Sequence, residues 1–331
     1  MRETFARVMR RPEKQVGGIF VVVVVLLQVL LPGVSVTFSQ VLARASVTGL
    51  VALGMTAVII QGNFDLSVGS TVALGAIVAL DAPGGIFVGL IAAILVGISV
   101  GLVNGILVAV FRINSLIATI ATMTALRGVD YLVTNSNPIQ GTDIQGAINF
   151  ITPVFWILSP QILIFLSLLI IVHVFLGRTR VGRDFYAVGG NQEAARAAGI
   201  PVRKRLIQGF VISGTLAALV GWNSAIQFNS ANPNQSGEIA LLAITAAVIG
   251  GTRLKGGAGT AAGTALGAML LAWIGTSFDA RGLSVAYRDV TYGSILLLVV
   301  VGDQVSAAYL AMKRYGDRVR GVIARRGAAV G

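Results

Sequence analysis

The segment Gly189–Pro201, GGNQEAARAAGIP, interrupts a strongly apolar chain with a short polar helix that carries its own start and stop signals. Asn191 suits the N-cap, because its side-chain oxygen can accept a hydrogen bond from an orphaned first-turn amide. Glu193 follows in that first turn, where the positive end of the helix dipole favours a carboxylate. Ala194, Ala195, Arg196, Ala197 and Ala198 are strong helix formers. Gly199 can take the left-handed position just past the helix end, and Pro201 prevents continuation. About two turns result, too few to be stable alone in water, so something must hold them. The apolar side is alanine only, so a docking partner could approach the backbone closely.

The surroundings set the context. The chain has 331 residues, 55% hydrophobic and 11% charged, with a mean hydropathy of +0.85. Soluble domains carry about 25% charged residues, so the composition predicts a multi-span membrane protein. Spans of about 20 residues fit at 16–36, 41–60, 66–80, 85–110, 115–133, 157–177, 207–227, 239–252, 259–275 and 288–311. The two short ones, 66–80 and 239–252, read as broken or partly re-entrant. The expected organisation is a basic N-terminal arm over 1–15, a single membrane domain over 16–311 and a basic tail over 312–331. Met1-Arg-Glu-Thr opens the arm, and no small-residue cleavage site clearly follows the apolar run Val16–Leu31, so no cleaved signal is expected.

Charge orients these spans. Of 25 Lys and Arg residues, 21 fall in the two termini and the loops on their side, leaving Arg44, Arg127, Arg281 and Arg288. The positive-inside rule makes both termini cytoplasmic, and it accounts for the +12 net charge without nucleic-acid binding. The Gly189–Pro201 helix then sits in the longest cytoplasmic loop, 178–206. On local chemistry, a docking element and an ordinary surface loop fit it equally. With no cysteine, disulfides, thiolate metal sites and cysteine nucleophiles are excluded.

Small residues recur at every fourth position: Gly85, Gly89, Ala93, Gly97, Gly101 and Gly105 in the fourth span, and Gly259, Gly263 and Gly267 in the ninth. Such rows predict helices packed backbone to backbone. The segment Gln61–Ser70, QGNFDLSVGS, breaks the apolar pattern; Asp65 or Ser67 can cap the next helix, and irregular backbone at this depth must be buried or line a cavity. Val248–Thr260, VIGGTRLKGGAGT, is a second break and faintly repeats the first. It lacks the GxxxxGK[ST] pattern and a strand context, which excludes nucleotide binding here. Asn63, Asp65, Ser67, Asn104, Thr119, Thr122 and Asn223 are candidate contacts for a polar solute, and Thr124, Gln227 and Asn229 extend the set. For the uncharged ones, helix-to-helix hydrogen bonding fits as well. Arg127 can pair with Asp130; His173 is alone in a lipid-facing run, so a metal role is not expected; Trp156, Trp222 and Trp273 read as interfacial anchors.

Four motifs in order, FDLSVGS, NSLIATIATMTALRG, AVGGNQEAARAAGI and AAVIGGTRLKGGAGT, resemble the permease subunits of bacterial ATP-binding-cassette importers of the ribose, xylose and galactose type, over about 45–305. The resemblance implies an all-α type II importer permease of about ten helices in the inner membrane, paired with a second copy or a sister permease. It implies a cytoplasmic ATPase that binds ATP and Mg, a periplasmic solute-binding protein, and no cofactor or catalysis on this chain itself. It identifies Gly190, Asn191, Glu193, Ala194, Ala195, Arg196 and Gly199 as the coupling helix that fits a groove on the ATPase. The chain departs from the family's usual residues at Asn63-Phe64, at Asn114, where a proline is usual, and at Ala240-Leu241-Leu242. The expected solute is monosaccharide-like; a nucleoside, a sugar-like signal molecule and a branched-chain amino acid are alternatives. An ion-coupled secondary transporter would call for membrane-embedded carboxylates, whereas the 13 acids lie mostly at span ends. No constellation of acid, base and nucleophile marks a membrane enzyme.

Overall fold

The computed structural model describes residues 17–18, 21–22, 24–25, 36–234 and 238–301. The expected arm 1–15 and tail 312–331, and most of the expected first span, lie outside them. The fold is built round two helices that each carry a long stretch apolar on every side. The first, α1 (Phe38–Ile60), starts at a reciprocal cap: Thr37 Oγ1 accepts from Gln40 N, and Gln40 Oε1 accepts from Thr37 N. Residues 50–60 of α1 are all buried. A helix without a polar face belongs in an interior, and α1 lies there beside α9 (Val202–Phe228).

Around this pair lie α2 (Val68–Asp81), α3 (Ile86–Ala109), α4 (Ser115–Thr134), α6 (Pro160–Arg178), α10 (Ile239–Ile249) and α11 (Ala261–Ala280). Among the described residues six helices, α1, α3, α4, α6, α9 and α11, are long and apolar enough to cross a membrane. At 1.5 Å per residue, α2 and α10 reach only about 21 and 17 Å of a ~30 Å core, and each adjoins an irregular segment. Residues 285–301 are helical to the end of the described chain. Between α4 and α6, a short α5 (Ile144–Ile151) and the two-residue strand β1 (Ile139–Gln140), paired antiparallel with β2 (Ser230–Ala231), form a cover that the apolar pattern did not indicate.

The glycine row of α3 meets α9 with no side chain between. A Cβ on Gly101 would lie 2.5 Å from Phe210 O, one on Gly105 would lie 2.8 Å from Ile207 Cα, and one on Gly97 would overlap Gly214 O. Gly89 faces Ala79 O of α2 in the same way. On the other side of α3, Phe87, Ile91 and Leu95 are exposed. Gly263 and Gly267 lie against Gly250 O and Ala246 O at the end of α10. Two members of the rows do not belong to helical contacts: Gly85 is the N-cap of α3 with open space around it, and Gly259 precedes α11 in the loop.

The loop 178–206 holds two helices rather than one. α7 (Arg180–Gly190) and α8 (Gln192–Ala197) turn on Asn191, and α9 begins at Val202, five residues earlier than its apolar pattern indicates. Asp184 of α7 and Arg205 of α9 form a largely buried ion pair at 2.9 Å. Gln61 Nε2, at the end of α1, donates to Arg205 O at 2.6 Å.

Candidate coupling helix and solute cavity

Local sequence explains the geometry of α8. Asn191 Oδ1 accepts from Ala194 N at 2.9 Å, and Glu193 occupies the first turn. At the other end Gly199 has φ +80°, which glycine adopts without the steric penalty of a Cβ. Gly199 N donates to Arg196 O, and Ile200 N donates to Ala195 O, both at 3.0 Å. These are the two bonds of a Schellman closure, and Ile200 packs beside Ala195 as that motif favours. The helix is therefore complete at both ends despite its length.

Its orientation differs from the sequence expectation at one position. Ala195 is not on a free docking face: it is buried among Ala109, Val188, Val202 and Leu206 and seats α8 on the body of the protein. Six residues give a helix only one buried stripe, and tertiary contact decides which alanine fills it. Gly190, Glu193, Ala194, Arg196, Ala197 and Ala198 face outward. Beside α8 lies a basin of about 420 Å³ whose walls include Asn63, Arg112, Asn114, Arg196 and Arg203. Asn63 thus belongs to the α8 end of the molecule.

Most of the other polar candidates are consumed by the first break. Asp65 Oδ1 accepts from Ser67 N (3.1 Å) and Ser67 Oγ (2.6 Å), and Asn104 Nδ2 donates to Ser67 Oγ at 2.8 Å. Ser115 Oγ and Thr119 Oγ1 of α4 accept from the backbone amides of Phe64 and Leu66. Backbone that leaves the helix at this depth needs such partners. Asp65, Ser67, Asn104 and Thr119 are consequently wholly buried, and line none of the cavities described here. Asn114, where the resemblance would place proline, caps α4 through Leu116 N. Thr122 bonds to Ala118 O of its own helix, and Asn223 is buried in α9.

Two further expectations are corrected. Arg127 does not pair with Asp130; its Nε donates to Tyr131 Oη at 3.1 Å and its guanidinium lies over that ring, while Asp130 turns inward and is buried. Trp222 is not an interfacial anchor. It is buried edge-on to Phe150 of α5, and its indole nitrogen donates to Ile86 O.

At the end of the molecule opposite α8 lies a cavity of about 810 Å³, within the ~300–1,000 Å³ usual for small-molecule sites. It opens where α1 begins and is walled by Gln40 and Arg44 of α1, Ser224 and Gln227 of α9, Thr276 of α11, and Arg288 and Tyr292 of the last helical stretch. The arginines are tied to acids: Arg44 to Asp279, and Arg288 to Asp279 at 3.6 Å and Asp289 at 3.8 Å. The wall combines amides, hydroxyls, the two tied arginines and the Glu238 carboxylate with a larger apolar share that includes Val47, Phe228, Ile239, Leu242 and Leu271. Of these residues only Gln227 stands out as a solute contact in the sequence. Arg44 carried a usable signal, since a charge inside an apolar span is a functional hypothesis by default. Among the described residues no cluster of three or more His, Cys, Asp or Glu side chains could hold a metal ion.

The family model described as branched-chain amino acid transport system, permease component, matches residues 37–300. The ribose import permease protein RbsC of Escherichia coli K12 is 36% identical over 278 residues, which cover 80% of this chain and 84% of that protein. The autoinducer 2 import system permease protein LsrC of Yersinia enterocolitica is 37% identical over 273 residues, 81% of this chain and 75% of the relative. RbsC of Haemophilus influenzae is 33% identical over 290 residues, 83% and 86% of the two chains. No solved structure matches. The apolar helices, the broken spans and these matches lead to one conclusion: the chain is a multi-pass membrane protein that belongs to the family of branched-chain amino acid transport system permease components, a transporter part that is not itself catalytic.

Proposed function

We propose that this chain is the membrane permease of an ATP-binding-cassette importer, and that it moves a monosaccharide-like solute from a periplasmic binding protein into the cytoplasm. The observation that carries the reading is the placement of α8. A fully capped helix, too short to stand alone, is seated by Ala195 and presents its other face outward at the end of the molecule opposite the 810 Å³ cavity. A cytoplasmic ATPase, holding ATP and Mg, takes up that face as the partner that moves it. Its closure drives the spans round the passage so that the cavity opens alternately to each side. The ten-span count joins the six long helices to α2, α10, the stretch from 285 and the segment 16–36, and it leaves both termini in the cytoplasm of an inner-membrane protein. A second copy or a sister permease completes the membrane part.

The solute class follows from the cavity wall and the relatives' names. The carboxylate of an amino acid calls for an unpaired cation, whereas the two arginines of the wall, Arg44 and Arg288, are tied to Asp279 and Asp289. Amides and hydroxyls suit a neutral polyhydroxylated solute, in line with relatives named for ribose and for autoinducer 2. The test is reconstitution in liposomes with the ATPase and the binding protein, using labelled pentoses and hexoses. Uptake is expected only with ATP, and Ala194→Arg on the outward face of α8 should abolish it with folded yield unchanged. Uptake that proceeds without the ATPase would refute the reading.

A further inference from the structure

α8 joins the membrane body through the last turn of α7, and that turn lies directly on the two irregular segments, 61–67 and 250–260. The contact is backbone on backbone. A Cβ on Gly189 would overlap the carbonyl oxygen of Ile60, the last residue of α1, and would lie 2.7 Å from Gly257 N. That same carbonyl accepts a hydrogen bond from Gly257 N at 2.8 Å. A Cβ on Gly256 would lie 2.8 Å from Gly62 N and 3.0 Å from Gly189 O, and one on Gly257 would lie 3.2 Å from Gly190 Cα. One turn earlier, Tyr186 Oη donates to Gly259 O at 2.9 Å.

Three chain segments therefore meet with no side chain between them. Side chains at an interface can change rotamer and absorb a displacement; close-packed backbone transmits it instead. Segment 61–67 leads into α2, and segment 250–260 joins α10 to α11, so the irregular segments attached to both broken helices meet at this one point. The buried Asp184–Arg205 pair and the bond from Gln61 to Arg205 O stiffen the same region from the α9 side.

We propose that Gly189, Gly256 and Gly257 form a positioning junction that passes any movement of α8 to both broken membrane helices as one rigid unit. None of the three touches solute. The proposal rests on the reading of α8 as the element that the ATPase moves.

The experiment uses the complete complex in lipid, with ATPase and loaded binding protein. Ala198→Cys and Lys255→Cys lie at exposed positions of a chain that has no native cysteine, so a spin-label pair there reports the distance across the junction. That distance should be the same in the nucleotide-free and vanadate-trapped states. In complexes that assemble and keep basal hydrolysis, Gly189→Ala should cut the solute carried per ATP at least about tenfold, equivalent to ~1.4 kcal/mol. Gly177→Ala, whose Cβ would meet nothing within 4 Å, should keep the wild-type ratio. Where Gly189→Ala fails to assemble, Tyr186→Phe gives the measure; it deletes one hydrogen bond to the junction and should lower the ratio several-fold. A wild-type distance that changes by more than the about 2 Å of ordinary interface helix shifts would overturn the junction. So would assembled Gly189→Ala or Tyr186→Phe complexes that keep the wild-type ratio. A wild-type complex without ATP-driven uptake is a separate failure, because it removes the importer reading first.

Discussion

Replacing Gly101 by alanine tests the α3–α9 contact most directly, because it adds one methyl group where no room exists. The new Cβ would lie 2.5 Å from Phe210 O, 2.6 Å from Val211 Cα and 2.8 Å from Phe210 C. All three are backbone atoms of a buried helix, so no rotamer change relieves the clash. Normal contact needs about 3.5 Å, so the helices must part by roughly 1 Å, and a gap of that size forfeits up to about half the dispersion energy of each contact it opens. The neighbouring contacts at Gly97 and Gly105 open with it. Overpacking of this kind costs ~1–3 kcal/mol, and the rigid partner places Gly101→Ala toward the upper end, about 2–3 kcal/mol. The assay is thermal unfolding of the purified permease in one detergent, with folded yield measured alongside. Gly128→Ala in α4 is the matched control; nothing lies within 4 Å of its added Cβ, and alanine's helix propensity makes it neutral or stabilising by up to ~1 kcal/mol. If Gly101→Ala unfolds at the same temperature as Gly128→Ala, the helices do not touch at this row and the packing argument fails.

Two further outcomes are expected. In intact cells, Thr142→Cys beside the β1–β2 cover should react with an impermeant thiol reagent, and Ala198→Cys on α8 should react only after permeabilisation; the reverse pattern would invert the topology and leave α8 unable to meet an ATPase. Asp184→Ala strands Arg205 in a largely buried position, and breaking such a pair typically costs ~3–5 kcal/mol; a melting temperature equal to wild type would show that the ion pair does not hold α7 to α9.

Features that depend on residues three to five apart were legible in the sequence. The Asn191 cap, the first-turn Glu193 and the Gly199 closure all arise within ten residues, and the chain writes them locally. The spacing of Gly97, Gly101 and Gly105 likewise marks one helix face as small, since a period of 3.6 stacks every fourth residue. Periodicity states which residues share a face, and it says nothing about what that face meets. Only the tertiary structure placed the α3 glycines against Gly214, Phe210 and Ile207, more than a hundred residues along the chain. It also turned Ala195 inward, gave Arg127 to Tyr131, and buried Trp222 under a short helix with no counterpart in the apolar pattern. The 810 Å³ cavity was the least legible feature. Its wall joins Arg44 to Asp279 across 235 residues, and it forms where α1 begins and α9 ends, beside stretches apolar on every side that do not say which neighbour they meet. The junction of Gly189, Ile60 and Gly257 has the same origin. Each glycine is locally just a permissive residue, and the absence of a side chain matters only because folding brings another backbone into that space.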